Sequence, residues 1–416
     1  MTFVLRMLRQ LHLVLRDAAW ITPERARTYP ALLLALSVVI AVGWVLASSG
    51  GVDPAGKALG TDFMSFWAAS SLARAGSPLA AYDMAAHGAA QTATLGRDIG
   101  YAAFFYPPPF LLICWPLAAL PYLPALGLWL AVTGATYFAA IRRLLPRPVP
   151  FAAIVAFPAV LSNVGHGQNG FLTASLLAGA ALALGPKPIL AGLLVGALAV
   201  KPHLGLLLPF GLAFIGAWTT ILAAAAAALA LAALSTLAFG PAIWTRFLDA
   251  SGLARRALEE DWVGTEKMQS VFAAARLLGL GLGPAYALQA AAAGLALAAL
   301  WSLARRGVPR ETYGVPLVSA ALLGTPFLLD YDLTILAIPL AWLLREGLRT
   351  GFRPWEKMAL AAGFVLPLLS RTLATLIGIP LGPLIVGAIF ALLYRRAREG
   401  GTNPQRSLKL SWLASP

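Results

Sequence analysis

Apolar runs of about 20 residues, the length a helix needs to cross a bilayer, recur along nearly the whole chain, from near residue 31 to near residue 394. No soluble fold accommodates that many such runs. Of the 416 residues, 59% are apolar and 12% charged, against about 45–50% and about 25% in an ordinary soluble domain. A water-soluble globule, a disordered chain and a coiled coil are excluded. The sequence predicts an all-α polytopic membrane protein.

Charge placement orients the helices. The formal charge is +14, which in a soluble protein would suggest nucleic acid. Here the Lys and Arg residues cluster in loops that a cytoplasmic N-terminus puts on one side. These clusters are residues 1–29, Arg142/Arg143/Arg147, Lys187, Arg305/Arg306/Arg310, Arg345/Arg349/Arg353/Lys357 and the tail from Arg395 to Lys409. The positive-inside rule then favours about twelve transmembrane helices, with residues 104–120 forming a re-entrant or interfacial segment broken by Pro107, Pro108, Pro109 and Pro116. No nucleic-acid partner is expected.

Expected spans lie near 31–47, 122–141, 150–164, 170–185, 188–200, 203–217, 219–239, 284–303, 312–328, 333–345, 357–371 and 379–394. Together residues 30–394 make one transmembrane domain, with long extracytoplasmic loops at 48–120 and 240–282. Residues 1–29 are too charged for a cleavable signal. Val4, Leu5, Leu8, Leu11, Leu15 and Ala19 share one helical face, which predicts a helix lying on the cytoplasmic leaflet. Residues 395–416 form a basic cytoplasmic tail. The alanine run at 223–228 reads as close-packing material.

In this topology the polar turns gather on the outer face, and ionisable groups gathered at one membrane face point to a functional site. Asp62, in Gly60-Thr61-Asp62-Phe63, suits a general base if Phe63, Phe66 and Trp67 partly desolvate it; equally, it suits a helix N-cap. Asp83 and His87 share a helical face, to hold a sugar or to form a solvated surface pair. Tyr106, before Pro107-Pro108-Pro109, makes a rigid corner whose rings could meet a sugar or a lipid.

Gly165-His166-Gly167-Gln168-Asn169-Gly170 puts an imidazole and two amides between apolar spans, which suits hydroxyl recognition or contact with a phosphate more than a tight turn with polar caps. Lys201-Pro202-His203 supplies a cation that could snorkel or meet a lipid phosphate. Asp330-Tyr331-Asp332 places two carboxylates beside the membrane, which suits sugar hydroxyls or an ion pair better than a metal. The charged 240–282 segment reads as a solvated, self-paired face.

One cysteine, Cys114, excludes an intramolecular disulfide and a cysteine-rich metal site. No metal or cofactor is expected. The chain carries no Walker A, Rossmann or G-x-S-x-G pattern, so nucleotide-driven transport and serine hydrolysis lack support.

Taken in order, several motifs resemble glycosyltransferase family 87, the polyprenol-phosphate-mannose-dependent α-(1→2) mannosyltransferase-like membrane proteins of C-type fold. They are Gly60-Thr61-Asp62-Phe63, Tyr82-Asp83, Tyr106-Pro107-Pro108, Gly167-Gln168-Asn169-Gly170 and Ala191-Gly192-Leu193-Leu194 leading to Lys201-Pro202-His203. The resemblance implies a C-type bundle with interfacial helices in its first long loop. It implies transfer of a mannose-like sugar, with inversion, from a polyprenyl-phosphate donor to an extracytoplasmic glycolipid or glycan; separately, the Ala-, Leu-, Gly-, Pro- and Arg-rich composition suits a bacterial inner membrane. Asp62 would be the base. Tyr82, Asp83, Tyr106, His166, Gln168, Asn169, Lys201, His203, Asp330, Tyr331 and Asp332 would hold the substrates. Lys201, helped by His203 or His166, would stabilise the departing phosphate.

After Thr325-Pro326 such mannosyltransferases carry a Trp-Asp-His-His-like segment. Asp330 fits that pattern, whereas Tyr331 and Asp332 stand where histidines would be. The alternative is a transporter or flippase for a lipid-linked or amphiphilic substrate, which should show paired halves with broken helices; no half-to-half repeat is visible. A non-catalytic assembly protein, the third reading, would tolerate loss of Asp62.

Overall fold

The computed structural model describes residues 2–146 and 149–400, and among these it is all-helical apart from isolated bridges. Arg147 and the tail beyond Gly400, with Arg406 and Lys409, lie outside the described residues.

Among the described residues, five helices are each long and apolar enough to cross a membrane: Pro23–Leu46, Tyr122–Leu144, Trp218–Phe239, Leu282–Arg305 and Glu356–Ile377. Leu222, Leu237, Leu295 and Leu376 on these helices are exposed. Such an apolar exterior is that of a membrane protein, where lipid replaces water as the solvent.

The other expected spans fall on shorter or interrupted helices. Pro158 divides 150–164 into Phe151–Val155 and Pro158–His166. The 203–217 region becomes a 3-10 turn, Pro202–Gly205, and the short helix Leu208–Phe214. Residues 333–345 begin in a 3-10 stretch, Asp330–Leu336, and continue as Ala337–Thr350. Proline lacks the amide donor and clashes with the preceding turn, so each break is local chemistry. Broken helices are stable at membrane depth only where protein covers the freed backbone. The Asp330–Leu336 stretch meets that condition, because all seven of its residues are buried.

Small residues let helices approach closely. A Cβ on Gly192 would collide with Thr220 and Ala223, and one on Gly196 with Ala224 and Ala227. The Gly192–Gly196 spacing thus sits on the alanine run, as the sequence suggests.

The first long loop is folded. It contains the helices Phe63–Arg74, Met84–Leu95 and Pro108–Cys114. They share an aromatic core of Phe63, Phe66, Phe104, Phe110, Tyr122 and Trp129. Gln91 clamps the intervening strand-like stretch, donating to the Ala102 carbonyl at 2.6 Å and accepting from the Ala102 amide at 3.0 Å.

Candidate functional site

Two tight turns stand back to back above the aromatic core. Gly60 has φ +74 and Gly167 φ +62, conformations a side chain resists. A Cβ on Gly167 would lie 2.6 Å from Phe63 Cβ and 3.3 Å from Gly60 Cα. The Tyr122 hydroxyl donates to the carbonyls of Leu59 and Gly60 at 2.6 and 3.0 Å. The Trp129 indole donates to the Gly167 carbonyl at 3.1 Å. One helix, Tyr122–Leu144, therefore fixes both turns.

This arrangement sets Asp62 opposite the polar turn. The Asp62 amide donates to the His166 carbonyl at 3.0 Å. Asp62 occupies the N-cap position of Phe63–Arg74, but its side chain makes no capping bond. The carboxylate instead accepts from Gln168 Nε2 at 3.1 Å and lies 3.9 Å from His166 Nδ1. His166 Nδ1 is 2.9 Å from Thr61 Oγ1. Asp62 keeps 31% of its side chain exposed and His166 32%. The cap reading thus holds for the position and fails for the bond.

Gln168 joins Asp62 to the buried layer. Its Oε1 accepts from the Tyr106 hydroxyl at 3.1 Å and from the Asn169 amide at 2.7 Å. Asn169 Oδ1 accepts from Lys201 Nζ at 3.2 Å, and Nζ also pairs with the Asp332 carboxylate. Lys201 is 2% exposed and Asp332 0%. The ammonium lies 5.1 Å from the centre of the Tyr331 ring. Asp332 also accepts from the Leu329 amide at 3.3 Å.

The snorkelling alternative for Lys201 is therefore wrong, because a buried carboxylate holds the charge inside. The ion-pair reading of the Asp330–Asp332 turn is correct for Asp332. Asp330 is also buried, and its Oδ1 accepts from the Tyr331 amide at 2.8 Å. The positive charge of Arg371 acts on it from the neighbouring helix. Close approach at Gly170 joins the turns: a Cβ there would meet Asn163 Oδ1, the Tyr331 carbonyl and Thr334 Oγ1 within 2.8 Å.

Four predicted residues stand apart. The Tyr82 hydroxyl donates to the Tyr106 carbonyl at 2.9 Å, so Tyr82 supports Tyr106 from behind. Asp83 is exposed and caps Met84–Leu95 through the Ala86 amide at 2.9 Å. The solvated Asp83–His87 pair does not form. His87 is fully buried, with Nε2 3.0 Å from the Ser65 carbonyl and Nδ1 3.1 Å from Gln91 Nε2. Burial lowers its pKa to about 4, so the ring is neutral at pH 7. His203 packs edge-on to Phe327, and its buried Nε2 has no partner.

Sequence reasoning missed Arg371, Thr61 and Asn163. Arg371 is exposed on the apolar helix Glu356–Ile377 and acts electrostatically on Asp330. A cation inside an apolar span was the available signal. Both amide atoms of Asn163 are buried without partners, as is Asn169 Nδ2. Among the described residues, no group of three or more His, Cys, Asp or Glu is placed to hold a metal ion.

The layer therefore presents one partly open carboxylate, Asp62, against a buried amide, phenol and ion-pair network. Such a group can take a proton from a hydroxyl that enters from the open side. The sequence profile described as glycosyltransferase family 87 matches residues 104–329, more than half of the chain. That segment contains Tyr106, His166, Gln168, Asn169, Lys201 and His203 and stops just before Asp330; Asp62 precedes it. No curated protein and no solved structure matches the chain.

Proposed function

This chain belongs to glycosyltransferase family 87 and is a membrane glycosyltransferase, and we propose that it moves a mannose-like sugar from a polyprenyl phosphate to an extracytoplasmic glycolipid or glycan. The observation that carries the reading is Asp62: a carboxylate open to substrate on one side and tied to Gln168 on the other.

In this reading the acceptor hydroxyl gives its proton to Asp62. Its oxygen bonds to the anomeric carbon from the face opposite the phosphate, while the bond from that carbon to the phosphate oxygen breaks. The electron pair leaves with the polyprenyl phosphate, and the anomeric configuration inverts. Phosphate needs no proton to depart, so one carboxylate suffices.

Because Lys201 is committed to Asp332, its role is to position Asn169 and the Asp330–Asp332 turn rather than to meet the phosphate alone. His166 and the exposed Arg371 are better placed to offset the charge on the leaving group. Tyr106, Gln168, Asn169, Asp330 and Tyr331 hold the sugars, with Tyr82 behind Tyr106.

In this reading both termini lie in the cytoplasm of a bacterium and the site lies outside its inner membrane. Its support is clustering of basic segments at one end. The Trp355 amide donates to the Arg16 carbonyl at 2.7 Å, and Arg396 grips the buried Glu356 at 2.6 Å.

The test is transfer by the protein in liposomes, offered polyprenyl-phosphate sugars and nucleotide sugars in parallel with a cell-envelope glycolipid extract. The proposal expects product only from polyprenyl-phosphate donors, with inverted anomeric configuration. Product from nucleotide sugars, or retained configuration, would overturn it.

A further inference from the structure

Away from the site, the helix Pro23–Leu46 has no buried residue and meets the body through the short helices Phe151–Val155 and Pro158–His166. Between this helix and the body lies a cavity of about 340 Å³. Its depth is apolar, with Leu33, Phe157 and Phe364 among the walls. Its polar features are at the helix ends, where Arg25, Arg27 and Lys357 line it. Among the described residues no Asp or Glu lines it, and the adjoining Glu24 is exposed.

The first helix, Thr2–Asp17, marks the level of that mouth. Leu5, Met7, Leu8 and Leu11 on it are more than half exposed, beside Arg6 and Arg9. A helix of this composition lies in the headgroup plane of a leaflet. It leads directly to Trp20 and Ile21, which also line the cavity. The His12 ring lies edge-on to Trp355 with centroids 5.3 Å apart, beside the start of Glu356–Ile377. Cationic mouth and headgroup plane therefore coincide, and the apolar depth points toward the hydrocarbon.

We propose that this cavity binds one anionic phospholipid of the leaflet on which Thr2–Asp17 rests, its phosphate held by Arg25, Arg27 and Lys357 and a chain filling the space beneath Pro23–Leu46. Opposite charge draws the headgroup to the mouth. The apolar walls exclude a free anion as the occupant. The site is separate from Asp62 and independent of the transfer chemistry.

The test is native mass spectrometry of the full chain in detergent, with dioleoyl phosphatidylglycerol or dioleoyl phosphatidylcholine at equal concentration. The wild type should carry one phosphatidylglycerol with about tenfold preference over phosphatidylcholine. Arg25→Ala with Arg27→Ala should remove the preference while the melting temperature holds. Ala361→Trp, which fills the cavity, should remove the bound lipid itself. Inorganic phosphate should not displace it. Equal binding of the two lipids, a preference unaffected by the arginine changes, or displacement by phosphate would each overturn the proposal.

Discussion

Asp62 and Lys201 are charged residues with opposite fates. Asp62 stays partly open because the Gly60 turn lifts it above the aromatic core. Lys201 is sealed in with Asp332. Removing one partner of such a buried pair strands the other charge, at about 3–5 kcal/mol. Lys201→Met should therefore lower the melting temperature sharply, and pairing it with Asp332→Leu should recover most of the loss. A small effect of Lys201→Met alone would mean that the pair is solvated.

Gln168→Leu should act differently. It deletes the hydrogen bond to the Asp62 carboxylate, worth about 1.5–3 kcal/mol, so kcat should fall about tenfold to a hundredfold; it also strands the buried Tyr106 hydroxyl and Asn169 amide, so the melting temperature should fall as well. Unchanged kcat would detach Gln168 from the base.

His87 predicts a pH response. Its folded pKa, about 4, lies below the ordinary value of 6.5. The folded state thus favours the neutral ring, and this contribution to stability is complete above the unfolded value. It is lost as pH falls from about 6.5 to about 4. Melting curves across that window should show the loss, and His87→Gln should flatten it. A wild-type melting temperature constant over the window would contradict the buried, neutral assignment.

At the scale of elements, short interrupted helices bring the polar turns together. Gly167→Ala forces a side chain into a left-handed turn against Phe63. It should cost more than about 1–2 kcal/mol and impair transfer, because Gln168 follows directly. Gly165→Ala meets nothing within 4 Å and should be tolerated. Equal effects of the two on melting and transfer would remove the turn from the argument.

The long helices were legible in the sequence because a sustained apolar run has few other solutions. The Gly165–Gly170 turn was legible as polar punctuation between such runs. What could not be read was direction. Nothing in the order Asp83-x-x-x-His87 tells that His87 points inward to Ser65 while Asp83 caps a helix. Nor does Lys201-Pro202-His203 disclose a carboxylate 131 positions away in the chain. Those outcomes depend on tertiary contacts, which local pattern does not encode. Arg371 stands out as a cation within an apolar run, but nothing local says that it faces Asp330.

For the whole molecule, the account divides the chain between two membrane faces, and its cysteine usage makes this testable. Cys114 is buried, so Cys114→Ala gives a cysteine-free background. Arg255 and Arg349 are 73% and 64% exposed and lie on opposite faces in the proposed topology. In intact cells a membrane-impermeant thiol reagent should label Arg255→Cys, and Arg349→Cys only after permeabilisation. The reverse pattern would invert the protein.

The central claim is that a lipid-phosphate sugar is transferred with Asp62 taking the acceptor's proton. The most direct measurement is kcat for wild type and Asp62→Asn with the same polyprenyl-phosphate sugar in liposomes. Asparagine keeps the shape and removes the base. The account predicts a loss of about a hundredfold to ten-thousandfold, with the melting temperature unchanged. Equal rates for the two proteins would contradict it.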